Sequence, residues 1–312
     1  MNTINRRIFT VIVAAVNLFC VISIALWFFG KGDNSLAGKE NSRLIGVSYM
    51  TMNNEFYKIL NSEIEDRILS EGDRIMLRDP ALSAERQNEQ IEEMLAEGIN
   101  ALIVAPVDWE KAVPILRKAK RQGVIVIIVD TDVSDLEIAD CTITSDNYSA
   151  GVKAAEYMLG DGKQHNVVLM VHSTAKSGLE RIQGFKDTVA GHDNVRIVSE
   201  LECEGQLEIA EPAMKEFIKS GETFDSVFCL NDLASVGVAA ALEENGLTGK
   251  IELLGVDASP DAKAMIKERI MTASSAQFPT LIGVQTAESL YAMLNGESCE
   301  KRIFVPVELI TE

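Results

Sequence analysis

Asn54, Asp130, Asn231, Asp257 and Gln277 each follow closely on a short apolar run, and Arg181 lies in ERIQGF, which opens a helix after another such run. Carboxylates accept several hydrogen bonds, side-chain amides both donate and accept, and a guanidinium donates in a planar fork. Phe56 and Tyr57 place two rings beside Asn54. Together these groups suit a neutral, hydroxyl-rich ligand with one flat apolar face. A buried polar group left unpaired costs about 1–3 kcal/mol, which is how such a site rejects the wrong molecule. Taken singly, each residue has a plainer account. Asp130 and Asp257 also read as strand-end or turn caps, Arg181 as a surface ion-pair residue, and the two rings as core. Asp232 reads as the N-cap of the helix that follows it.

The elements that must hold these residues are strand–helix units. LIGVS opens the first series, and polar Thr51, Asn53 and Asn54 lead into a helix from about Phe56 to Ser70, with Asn54 or Glu55 as its cap. RIML, ALIVAP, VIVIIVD and CTITSDN read as further strands, with helices over 83–97, 109–122 and 148–159 between or after them. Gly98 and Gly123 stop two of these helices. A second series begins at VVLMV and continues through VRIVSEL, SVFCLND, IELLGVD and a strand over 270–277, with helices over 179–189, 206–219 and 280–294. In this series Ser259 caps a helix with Pro260 at its first position. Continuous apolar runs are strands covered on both faces. Regular alternation of strand and helix means parallel sheets with helices on both sides. The fold class is therefore α/β, with two similar lobes. Strand ends that turn polar before a helix are where such sheets hold ligands.

Composition narrows the function. The 312 residues suffice for two domains, and the formal charge of −18 argues against a nucleic-acid partner, which calls for a basic face. Arg6 and Arg7 precede an uncharged run over residues 8–29 that is long enough to cross a bilayer, with Trp27 at its outer end. Residues 1–30 are read as an uncleaved transmembrane anchor in preference to a signal peptide, whose apolar core would be shorter. Ser35-Leu36-Ala37 lies well beyond the run, and Cys20 follows Phe19 rather than the small residue of a lipobox. Residues 31–43 form a tether, and everything beyond is extracytoplasmic. The remaining cysteines are scattered and demand no disulfide, and His165, His172 and His192 read as surface or core residues. No G-x-S-x-G elbow, P-loop or G-x-G-x-x-G motif follows a strand, so no catalytic residue, metal or cofactor is expected.

From Leu44 onward the chain resembles periplasmic-type sugar-binding proteins of the ribose/galactose class, which share their architecture with the ligand-binding domain of LacI-type repressors. The resemblance rests on TMNNEFY, IIVDTD, TSDN, ERIQGF, VFCLND, LLGVDASPD and AQFP, in that order and spacing. It implies ligand contacts at Asn54, Phe56, Tyr57, Asp130, Arg181, Asn231, Asp257 and Gln277, with the rings stacking and the aspartates accepting from hydroxyls. Two further contact positions depart from the ribose binders: Thr131 stands where they carry an arginine, and Glu204 where they carry an aromatic. Those departures point away from ribose itself, and the extra carboxylate suits another hydroxyl or a cationic amino group. The resemblance also implies three hinge crossings, near Asp146-Asn147, Gln277 and Ile303. One lobe then comprises 44–146 plus 277–303, the other 147–276 plus 304–312. The implied function is to close over a monosaccharide or polyol and deliver it to an ABC-type permease. The alternative is reporting the ligand to a membrane histidine kinase or chemoreceptor. A LacI-type regulator would need a helix-turn-helix before the first strand, where this chain has its apolar run.

Overall fold

The computed structural model describes residues 42–311. The anchor expected over residues 8–29 lies outside the described residues, as does nearly all of the tether. No helix among the described residues is long and apolar enough to cross a membrane. The first lobe runs β1 (Leu44–Ser48), α1 (Glu55–Ser70), β2 (Arg74–Arg78), α2 (Ala84–Ala96), β3 (Ala101–Val104), α3 (Val113–Arg121), β4 (Ile125–Val129) and β5 (Cys141–Ser145). The chain then builds the second lobe from α4 (Asn147–Gly160), β6 (His165–Val171), α5 (Lys176–Val189), β7 (Val195–Glu202), α6 (Leu207–Ser220) and β8 (Ser226–Cys229). That lobe continues with α7 (Asp232–Glu244), β9 (Glu252–Asp257), α8 (Pro260–Lys267) and β10 (Ala273–Ala276). It returns to the first lobe for α9 (Pro279–Leu294) and β11 (Arg302–Val305), and crosses a last time to β12 (Glu308–Ile310).

The two sheets repeat one topology, β11-β5-β4-β3-β1-β2 and β12-β10-β9-β8-β6-β7. Side-chain alternation along the strands explains why both faces are covered. Ile103, Ile127 and Val129 point to the face under α1 and α9, while Leu102, Val104, Val126 and Ile128 point to the face under α2 and α3. Each such side chain, fully buried, contributes about 1.5–3 kcal/mol. The α1 helix starts where the Phe56 N–H donates to Asn54 Oδ1 at 2.9 Å, and it buries Tyr57, Leu60, Ile64 and Ile68 at helical spacing.

Several elements differ from the sequence expectation. The α3 helix starts at Val113 rather than Trp109, because Pro114 suits a first helical turn and Asp108 folds the preceding residues into a turn by accepting from the Glu110 and Lys111 N–H groups. Asn231, not Asp232, caps α7, its Oδ1 accepting from the Ala234 N–H at 3.0 Å. The Asp232 carboxylate instead accepts from the Ser259 N–H at 2.7 Å and the Ser274 hydroxyl at 2.8 Å. The sheets are not wholly parallel, since β12 pairs antiparallel with β10. In addition, β11 pairs with β5 as far as Val305–Ser145, so the last crossing falls after Val305 rather than at Ile303.

The tightest helix contact, between α4 and α5, is made by two glycines. A Cβ on Gly151 would lie 1.8 Å from the Arg181 carbonyl oxygen, and one on Gly184 would lie 2.1 Å from that of Tyr148. Because backbone occupies both spaces, no side-chain rotation can relieve a substitution. Gly151→Ala is expected to lower the free energy of unfolding by at least about 1–3 kcal/mol in a denaturant titration. A loss below about 0.5 kcal/mol would show that the helices part freely.

Candidate functional site

The C-terminal ends of strands from both sheets face a cavity between the lobes, with about 470 Å³ of empty space. Asn54, Phe56, Tyr57 and Asp130 line it from the first lobe, Arg181, Glu204, Asn231 and Asp257 from the second, and Gln277 from the crossing between them. Thr131 does not line it. Its side chain is fully buried and its hydroxyl accepts from the Ser177 N–H at 2.9 Å, so it joins the lobes instead.

Two buried charges, Asp130 and Arg181, and the partly buried Asp257 dominate the cavity. Asp130 directly follows β4 in a left-handed conformation, φ 66°, and its Oδ2 accepts from the Tyr57 hydroxyl at 2.8 Å. Arg181 projects from the first turns of α5, donating through Nε to Asn147 Oδ1 at 2.9 Å and through Nη1 to the Leu230 carbonyl at 3.0 Å. The same Nη1 lies 3.9 Å from Asp257 Oδ1. Asp257, the last residue of β9, has φ 125°. Burial raises the Asp130 carboxyl above its ordinary range, against the opposing pull of Arg181 and the Tyr57 hydroxyl. Burial likewise pushes Asp257 up to about 6, opposed by Arg181 and the Gln277 amide and reinforced by Asp130. Burial therefore disfavours the charged form of both carboxylates, a cost that hydroxyl donors would offset.

The rings are used unequally. Tyr57 is buried with its ring stacked on Tyr49, centroids 5.3 Å apart, and its hydroxyl held on Asp130, so it positions the carboxylate and closes the cavity wall. Phe56 meets Tyr57 edge-on and lines the cavity as well. Gln277 donates from Nε2 to Asp257 Oδ1 at 2.5 Å, while its buried Oε1 has no partner. Asn231 caps α7 through Oδ1 and donates through Nδ2 to the Gly205 carbonyl at 3.0 Å, so it also fixes the loop that presents Glu204.

Sequence reasoning passed over His172 and Gln206, which also line the cavity. His172 is buried, its Nε2 lies 3.0 Å from Thr174 Oγ1, and burial lowers its pKa, so it offers a neutral flat ring from the second lobe. The signal was present, because His172 directly follows β6 just as Asp130 directly follows β4. Among the described residues, no cluster of three or more His, Cys, Asp or Glu could hold a metal ion.

The periplasmic binding protein domain matches residues 45–298. The ribose import binding protein RbsB of Bacillus subtilis is 26% identical over 96% of this chain and 98% of its own length. The D-allose-binding periplasmic protein of Escherichia coli is 24% identical over 82% of this chain and 85% of its own. A solute-binding protein of an ABC transporter from Bacillus halodurans, solved with myo-inositol, superposes with a TM-score of 0.82 at 23% identity, covering 88% of this chain and 96% of that one. One from Agrobacterium vitis with D-fucose gives 0.82 at 24% identity over 86% and 95%. These relatives are binding proteins rather than enzymes, and with four-fifths of its length matched by the domain, this chain belongs to the periplasmic binding protein family.

Proposed function

We propose that this chain is an extracytoplasmic, membrane-tethered sugar-binding protein that closes its lobes over one sugar or polyol ring and delivers it to an ABC-type importer. The observation that carries the reading is the convergence of Asp130, Arg181 and Asp257 on one inter-lobe cavity, where Asp130 accepts from the Tyr57 hydroxyl and Asp257 from the Gln277 amide. Ligand hydroxyls would donate to the two aspartates and Gln277 Oε1, Arg181 would donate to a ring or hydroxyl oxygen, and Phe56 and His172 would flank the ring. With Glu204 the cavity holds three carboxylates to one guanidinium, which disfavours phosphorylated or acidic sugars. Import is preferred to reporting to a histidine kinase or chemoreceptor because the B. subtilis relative is an import binding protein.

Asp130→Ala and Asp257→Ala are each expected to abolish the thermal shift that a pentose, hexose or inositol screen gives the full-length chain. Tyr57→Phe should weaken affinity by about tenfold, since a hydrogen bond to a charged group is worth about 1.5–3 kcal/mol. A full shift in both aspartate variants would remove these residues from the site.

The pH dependence has a definite sign. The empty folded protein keeps the Asp257 proton up to about pH 6, whereas hydroxyl donors favour the carboxylate, so binding expels a proton. Affinity measured by calorimetry should rise with pH through about 6 and then level. Stability of the empty protein should do the reverse. Its unfolded chain ionises this group first, so stability falls as pH climbs from the ordinary aspartate range, about 4, through the raised value. An affinity that does not change across about pH 5–7, the span on either side of the raised Asp257 value of about 6, would count against Asp257 as an acceptor.

The tether is tested by fractionation. The full-length chain should stay with membranes after an alkaline carbonate wash, and deletion of residues 1–30 should release it. A mature N-terminus near Ala37 would instead mean the segment is removed.

A further inference from the structure

A second, larger space adjoins the first, with about 1320 Å³ of empty volume counted together with the part open to solvent. Asn54, Phe56, Asp257 and Gln277 line both, so the two spaces share a wall. The second is built from the first turns of four helices, α1, α7, α8 and α9. Leu233, Val236, Ala258 and Pro260 contribute its apolar lining, and Asp232, Ser259 and Lys263 polar lining. The first three helix starts are capped by Asn54, Asn231 and Ser259, but Phe278 gives α9 no side-chain cap. At the junction stands Gln277, 6% exposed, with its Oε1 buried and unpartnered. A buried acceptor of this kind calls for a donor.

We propose that the natural ligand is a glycoside, with one ring in the first cavity and a second neutral sugar ring, joined by a glycosidic bond, in the adjoining one. The electrostatics select a neutral unit. The positive ends of four helices face Glu55, Asp232, Asp257 and Asp261, with Lys58 and Lys263 on the same lining, so neither a net anion nor a net cation is favoured. Hydroxyls satisfy both sides, since they donate to carboxylates and to Gln277 Oε1 and accept from ammonium groups and from the α9 N-terminus. The apolar side matches the C–H face of a sugar ring. This inference rests on the reading of the first cavity as a sugar site.

The test uses the full-length chain in a detergent without a sugar headgroup. D-Galactose, D-glucose and D-ribose are titrated against their methyl and phenyl glycosides and against lactose and cellobiose. At least one extended probe should bind about tenfold tighter than its parent sugar, equivalent to ~1.4 kcal/mol. Thr280→Trp, at an exposed position of the second cavity only, should erase that gain and leave the parent's affinity within about twofold. Asp261→Ala, also outside the first cavity, should reduce the gain without changing the parent. If parent sugars bind and every extended probe binds more weakly, or if both variants keep the preference, the glycoside inference fails while the sugar reading stands. If neither parents nor extended probes bind, the sugar reading fails and takes this inference with it.

Discussion

The guanidinium of Arg181, buried among carboxylates, is the charge on which the cavity between the lobes depends. It is the cation that offsets the burial of Asp130 and the partial burial of Asp257, and removing one partner of a buried charge set typically costs about 3–5 kcal/mol. The arginine has little freedom of its own. Its Nε is held by Asn147, the first residue after the chain leaves the first lobe, and Asn147 donates in turn to the Asp130 carbonyl at 3.3 Å. One amide at a crossing therefore fixes the cation relative to the backbone of the acid from the other lobe. The glycine contact between α4 and α5 sets the depth at which the arginine's own backbone sits.

The acids are aimed by backbone as much as by partners. Asp130, Glu204 and Asp257 all have φ between 50° and 125°, a region that residues with a Cβ adopt at a cost of about 1–3 kcal/mol each. Turning the chain this way at a strand end throws the side chain off the sheet and into the space between the lobes. The surrounding hydrogen bonds hold that geometry. The Asp130 N–H donates to the Ile143 carbonyl, and the Asp257 carbonyl accepts from the Gln277 N–H, so each bend is tied to the neighbouring strand.

Much of this was legible in the chain because it follows from local rules. Strand runs with both faces apolar, glycines after helices and Asn54 before Phe56 each carry a physical signal within a few residues. The convergence of strand-end residues followed from the two-series pattern. What escaped depends on direction rather than type. Whether position 231 or 232 caps α7 turns on one residue of register, and the second acid is drawn away by Ser259 and Ser274, 27 and 42 residues further along. Thr131 follows an acid whose left-handed backbone sends neighbouring side chains to different sides, which residue type alone does not encode. The short strands β11 and β12 are defined by partners far away in the chain, so their residues alone do not specify their pairing.

The contact between Thr131 and Ser177 has a consequence for how firmly the two lobes hold each other. Both of its atoms belong to the protein, as do those of the bond from the Trp109 N–H to the Thr174 carbonyl, so this part of the lobe arrangement is held by the chain itself. A net gain of about 1 kcal/mol from such a bond favours this arrangement over one that lacks it roughly fivefold. Side chains that clasp lobe to lobe thus hold this arrangement through the chain's own atoms, and each such bond lessens the part that a ligand could play in setting it.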